Sequence, residues 1–335
     1  MRPSVNAVLL WMVFLLIVHP LFAQDKKTVL QDSLNTSLKT NDANYLKDTS
    51  VLKKDTLKKS AITDSTDNTP PPRSHFQANL TFESNDVYLG RQDSSAIPLL
   101  TPEISYLFKS GFEIDFNVGV NVAAPAWMVN SWTLDGSYSF NPGNYSGQAT
   151  LSWFNYSLNS GSPQASQKGS LAYDNSYNFG FIQPELTLTW TFADMPDYQA
   201  TFALQHEFDF LENGNLSISP TATMNASTQN FYNSYYKNKR FSISRPGKPP
   251  HPSNVTISGE VLNSGKFQIM DYEFSAPVNY TAGKWTFAFT PTYAVPVNAA
   301  DIKLTVNVNN QVATKTYQEV LPDVFYYQIA VTYAF

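Results

Sequence analysis

Phe325-Tyr326-Tyr327-Gln328-Ile329-Ala330-Val331-Thr332-Tyr333-Ala334-Phe335 decides how this chain is read. Phe325, Tyr327, Ile329, Val331, Tyr333 and Phe335 share one parity, and Tyr326, Gln328, Ala330, Thr332 and Ala334 share the other. Successive side chains of a strand point to opposite faces, so one face here is large and apolar and the other is smaller and more polar. A strand of a soluble sandwich alternates in the same way, but a terminus in water rarely ends on a row of large apolar groups. A barrel in a bilayer requires such a strand. Lipid allows no open sheet edge, so the last strand pairs with the first, with an apolar outer face and aromatics at the two interfaces.

The alternation recurs along the chain from His75 onward. It is clear in Phe76/Ala78/Leu80/Phe82, Ile104/Tyr106/Phe108, Phe112 to Val122, Trp132 to Phe140, Tyr145 to Trp153, Leu186 to Phe192 and Tyr198 to Phe210. Leu216 to Met224 and Val255/Ile257/Val261 are weaker; Met270 to Tyr280, Trp285 to Val297 and the terminal strand are strong. The expectation is an all-β, antiparallel transmembrane barrel of about 12 strands, within a range of 10 to 14, each near the roughly 9 to 11 residues that cross a bilayer when tilted.

Composition agrees. The 335 residues are 42% hydrophobic and 14% aromatic but only 15% charged, with no cysteine. Disulfides, thiolate metal sites and a lipoprotein anchor are therefore excluded. Residues 1–23 carry Arg2, an apolar run from Ala7 to Val18 and a break at Pro20 before Ala23, and read as a secretory signal peptide. The apolar run is shorter than the roughly 20 residues of a spanning helix. Residues 24–73 are Lys-, Asp-, Ser- and Thr-rich, hold no glycine and end in Pro70-Pro71-Pro72, so a disordered periplasmic tail is expected. Leu30, Leu34 and Leu38 would allow one short amphipathic helix there. Residues 74–335 are the barrel.

Two resemblances follow from quoted residues. Tyr333-Ala334-Phe335 resembles the C-terminal insertion signal of bacterial outer-membrane barrels, which implies the barrel assembly machinery as a partner, with Tyr333 and Phe335 as the signal. Ser84 to Phe112 resembles the opening of the TorF-type porins: Ser84, Asp86, Tyr88, Pro98, Tyr106 and Ser110-Gly111-Phe112 fit the pattern. Gly90-Arg91 stands where that family has Arg-Gly. The resemblance implies a barrel of the bacterial cell outer membrane with pore function.

Tight turns are expected at Lys109 to Gly111, Asn141 to Asn144, Ala193 to Asp197 and Ala282 to Lys284, and long loops at Ser84 to Pro98, Ala124 to Ser131 and Leu158 to Ser176. Short turns on one side and long loops on the other are what such barrels show, the short side being periplasmic. Ile302 to Thr316 reads as a hairpin turning at Asn309-Asn310. Phe179/Phe181 and Leu186/Leu188 differ in parity, so a bulge is expected near Pro184. Ser227 to Ser253 is long yet falls on the short-turn side of this count.

An enzyme requires a constellation of groups, and none is legible. His206 has Glu207 beside it, but strand neighbours point to opposite faces. Phosphate-binding loops and spaced metal ligands are absent, so no catalytic residue, cofactor, metal or nucleic-acid partner is expected. Trp132, Trp153, Trp190 and Trp285 read as interfacial anchors in contact with outer-membrane lipids. The polar parity carries acids. Glu103, Glu113, Asp115, Asp135, Glu185, Glu207, Asp209, Asp271 and Glu273 are the candidate lining residues of a pore, with Glu83 and Glu260 on the same parity. Residues 74–335 hold 12 Lys plus Arg against 20 Asp plus Glu. Five of these bases, Lys237, Lys239, Arg240, Arg245 and Lys248, cluster in Ser227 to Ser253. They form either a plug paired with the lumen acids or an ordinary solvated loop. The functional expectation is a porin-like channel for passive diffusion of small polar or cationic solutes. The alternative is a non-conducting structural or binding barrel that works through its extracellular loops.

Overall fold

The computed structural model describes residues 74–92, 97–123, 127–157, 166–211, 214–238, 255–308 and 311–335, without the side chains of 235–238, 255 and 256. The expected signal peptide and tail, Lys239, Arg240, Arg245, Lys248, the Lys237 side chain and the turn at 309–310 lie outside the described residues.

In chain order the elements are β1 (His75–Glu83), β2 (Val87–Tyr88), β3 (Arg91–Gln92), β4 (Leu99–Leu107), β5 (Phe112–Asn121), β6 (Met128–Phe140) and β7 (Tyr145–Tyr156). There follow β8 (Gly169–Tyr177), β9 (Gln183–Phe192), β10 (Asp197–Gln205), β11 (Phe208–Phe210), β12 (Leu216–Ile218), β13 (Thr221–Ser227) and α1 (Asn230–Asn238). The last are β14 (Val255–Val261), β15 (Gln268–Ser275), β16 (Val278–Ala282), β17 (Trp285–Pro296), β18 (Asp301–Val308), β19 (Gln311–Gln318) and β20 (Val324–Ala334).

Twelve strands close a ring in the order β1-β4-β5-β6-β7-β8-β9-β10-β13-β15-β17-β20, and β20 pairs back onto β1. Every pairing in it is antiparallel. Beyond short interruptions at Pro220 and Pro277, where proline offers no N–H to the ladder, β12 and β16 continue the lines of β13 and β15. β11 likewise continues β10. The seam is exact in register, with Ala78 opposite Tyr333, Leu80 opposite Val331 and Phe82 opposite Ile329.

The apolar parity of every ring strand faces outward. Phe76, Ile104, Phe116, Leu134, Leu151, Trp190, Phe287 and Ile329 are large, apolar and exposed, and Trp153 is 65% exposed. A continuous outer band of this kind is built for hydrocarbon. Aromatic pairs concentrate where strands end: Trp285 lies 4.6 Å from Tyr333, and Tyr333 5.0 Å from Phe335. The chain forms an outer-membrane-type β-barrel.

The strand count agrees with expectation through two misreadings that cancel. The first is β8, absent from the sequence reading, which folded it into a loop from Leu158 to Ser176. The second is β14, read there as a ring strand but found outside it, in a three-stranded sheet ordered β14-β18-β19. Losing one strand reversed the assumed direction of those after it. Ala193 to Asp197 therefore lies at the long-loop end, not with the short turns, and so does the long connection from Thr228 to Phe267, which removes the anomaly noted for Ser227 to Ser253. The other end carries the turns 108–111, 141–144, 178–182 and 283–284 and the pairing of β11 with β12. No bulge occurs at Pro184, which sits in regular register opposite Leu204. The parity change comes instead from a turn at 178–182, where Gly180 has φ +88°. The ring's irregularities are at Gly119/Val120 and Asn225/Ala226. The hairpin of β18 and β19 forms as expected.

Candidate functional site

The inward face of the ring is polar. Ser131, Thr133, Ser137, Thr150, Ser170, Thr189, Thr191, Thr223 and Thr292 are all buried within it. Among the described residues no Lys or Arg occupies an inward position of a ring strand. Two groups of acids stand on opposite walls, and Asp174 on β8, which accepts from the Thr187 hydroxyl of β9, is a further inward acid that the sequence did not single out. Asp115 on β5 stands directly across from Asp135 on β6, with Glu113 two residues from Asp115 and Glu103 on the neighbouring β4. Asp271 and Glu273 lie on β15, six places round the ring from β6. Glu113, Asp115, Asp135, Asp271 and Glu273 are buried, and Tyr326 donates to Glu273 Oε1 at 3.2 Å.

The remaining candidates sit elsewhere. Glu185 is half-buried on β9 near the short-turn end. Glu207 and Asp209 are exposed on the hairpin that prolongs β10, so they belong to the rim at the short-turn end. Glu260 lies on the polar side of β14, outside the ring. Tyr333 and Phe335 close the seam: the Phe335 N–H donates to Phe76 O at 2.9 Å, and Lys284 Nζ lies 5.8 Å from the Tyr333 ring centroid.

The long-loop end is covered by a packed cap that the sequence did not reveal. Its core is Tyr88, Leu89, Phe231, Tyr232, Val261, Met270, Ala300 and Ile302, with Tyr317 against it. These residues come from the β2–β3 hairpin, α1, the three-stranded sheet and the rim of β15. The sheet is amphipathic, which explains why β14 passed for a barrel strand: Val261, Ile302 and Tyr317 are register neighbours on its apolar face.

Two polar clusters fasten the cap. Asp197, buried at the start of β10, accepts from the Thr228 hydroxyl at 2.6 Å and from the backbone N–H groups of Asn230 and Phe231 at 2.7 Å each. It is the N-terminal cap of α1, supplied from another loop, and Asn230 ties the two segments further by donating from its own amide to Pro196 O at 2.8 Å. The second cluster centres on Arg91, only 4% exposed, whose Nε lies 3.3 Å from Glu319 Oε2. Its Nη1 donates to Leu89 O at 3.2 Å and its Nη2 to Asn298 O at 3.3 Å, while Tyr232 donates to Glu319 Oε1 at 2.7 Å. Three long loops thus meet at one ion pair.

No protein-family model matches the chain, and no curated protein matches it. Solved structures do. An outer-membrane channel of Pseudomonas putida F1 is similar at 11% identity and a TM-score of 0.39, over 81% of this chain and 99% of that one. BamA of Haemophilus ducreyi lacking POTRA domains 1–3 is similar at 10% identity and a TM-score of 0.33, over 78% and 70%. OccAB3 of Acinetobacter baumannii is similar at 7% identity and a TM-score of 0.29, over 78% and 98%. Likenesses this distant carry no argument about function, and the barrel stands on its own strand pairing.

Proposed function

We propose that this protein is an outer-membrane channel whose acid-lined lumen passes small polar or cationic solutes, entered or left at the long-loop end past the cap. The observation that carries this is the inward face: acids on opposite walls, hydroxyl groups between them, and no base at a described inward position of the ring. A cation 4 Å from one carboxylate gains about 1 kcal/mol in water-like surroundings and about 4 kcal/mol at an effective dielectric of 20, so a few such groups suffice to bias passage. The resemblance of Ser84 to Phe112 to TorF-type porins supports the same reading. Outer-membrane lipids and the barrel assembly machinery are the partners it implies.

The test is conductance of the purified barrel in a planar bilayer under a salt gradient. The expected reversal potential has the sign of cation preference, and Asp271→Asn with Glu273→Gln shifts it toward zero. Anion preference in the unaltered protein would overturn the reading.

A second reading, a non-conducting barrel that binds through its extracellular face, is favoured by the cap's closed apolar core. A silent bilayer with folded protein inserted would select it.

A further inference from the structure

The β2–β3 hairpin does not lie on the rim where it is rooted. It springs from between β1 and β4, yet the Tyr88 hydroxyl reaches Gln199 Oε1 on β10 at 3.4 Å, five places away in the twelve-strand ring and almost opposite. On the way Val87 packs on Ala294, Val324 and Tyr326 of β17 and β20. At the tip, a Cβ added to Gly90 would stand 2.7 Å from Asp271 Cβ and 2.9 Å from Pro296 Cβ, so the strand backbone is pressed against the wall. The hairpin is a strap drawn across the mouth.

Its tip is also strained. Leu89 has φ 51° and Gly90 φ 71°, the two-residue turn that demands the left-handed region at both positions. Glycine adopts that conformation freely, whereas a branched leucine pays for it. Leu89 is nevertheless buried in the cap core. Packing therefore holds the tip in a shape that the tip alone would not favour, and the whole arrangement depends on what fixes the hairpin's second strand. That is Arg91, bound to Glu319 and Asn298 from one loop and stacked 5.9 Å over the Tyr232 ring from another.

We propose that the β2–β3 hairpin is the gate of this lumen and that the Arg91–Glu319 ion pair is its latch. The paired Arg91 and Glu319 described here are the latched state. Release of the pair frees the strap, relaxes Leu89 and opens the mouth onto Asp271 and Glu273. The role as a gate rests on the channel reading; the latched strap does not. Arg91 and Glu319 are positioning residues, acting through the strap.

Because the chain has no cysteine, a single Thr292→Cys places one reporter thiol on β17. Thr292 is buried, inward, and two residues below the Ala294 on which Val87 rests. Intact cells are treated with a maleimide conjugate too large for general porins, and labelling rates are compared with and without Arg91→Ala, Glu319→Gln and Arg91→Lys. Removing one partner of a buried ion pair is strongly destabilising, so labelling should rise about tenfold or more in the first two, with Arg91→Lys intermediate. Glu319→Gln keeps the side-chain volume and guards against a misfolded Arg91→Ala, and heat-modifiable mobility confirms each barrel. Unchanged labelling in folded variants, or rapid labelling of the parent, overturns the latch. Accelerated labelling with silent bilayers throughout keeps the latch and overturns the channel. Unchanged labelling with full cation-selective conductance does the reverse.

Discussion

Asp197 holds the first turn of α1 from across a loop, with one carboxylate oxygen on the Asn230 N–H and the other on the Phe231 N–H. Neither donor has an intrahelical partner at a helix start, and Phe231 is fully enclosed, so water is no substitute. Asp197→Ala should cost about 1–3 kcal/mol for each donor left buried and unmet. The cost should fall on the cap alone. Hydrogen exchange at Asn230 to Asn233 should become fast while the amides of β5 to β9 keep their protection, and Asp197→Asn, which retains one acceptor, should fall between. Loss of protection around the whole ring would contradict a local clamp.

If the proposed channel selects through the carboxylates on its two opposed walls, ionic strength should govern the selection. Raising salt from 0.1 M to 1 M shortens the screening length from about 10 Å to about 3 Å. Cation preference in the bilayer should therefore fall as salt rises, and Asp115→Asn with Asp135→Asn should flatten that dependence. A selectivity that ignores salt would assign it to pore width instead of charge.

Gly111 turns the chain between β4 and β5 with φ +88°, and a Cβ there would sit 2.3 Å from Ser139 O. Gly111→Ala combines a left-handed backbone, costing about 1–2 kcal/mol, with displacement of a carbonyl of β6. The Ser139 N–H, which donates to Gly111 O at 2.9 Å, would be lost with it. The outer-membrane yield of folded barrel should drop severalfold, and Gly143→Ala, with nothing within 4 Å, should do less harm.

Removing Tyr333 to Phe335 takes away register positions opposite Ala78 and Gln77 and the bond from Phe335 to Phe76. Exported but unassembled protein should accumulate in the periplasm, seen as loss of the heat-modifiable band. A normal band would show that the seam closes without these residues and that they carry no insertion signal.

Much of the ring was legible because each ring strand is half in lipid, and lipid forces the alternation that a reader can count. What failed to be read failed for physical reasons. In β8 the outward row is Leu171, Tyr173 and Tyr177 with Asn175 among them, and glycine and serine precede it, so the period is diluted. In β14 the period is real, but its apolar side is spent on Ile302 and Tyr317. Two-sidedness alone does not say whether lipid or protein covers the apolar side. The acids of β5, β6 and β15 could be placed on the inner face by parity, whereas Glu207 and Asp209 keep that parity beyond the end of the lumen. Asp197 looked like an ordinary turn residue. Its partners lie 33 and 34 positions later in the chain, and no local pattern announces a cap borrowed from another loop. Arg91, set apart only by its place after Gly90, is understood once three loops are seen to converge on it.

The strands that seal the ring, β1 and β20, are those farthest apart along the barrel sequence, with Gln77 facing Ala334. Every other ring pairing joins strands much closer in sequence. The first strand of the barrel must therefore keep one edge open throughout the arrival of all the others, and so must the growing sheet. Closing so long a chain loop is entropically slow, and an exposed edge invites pairing with the wrong partner. The period of greatest hazard for this protein is the interval between the arrival of His75 and that of Tyr333, when that edge has no partner within its own chain.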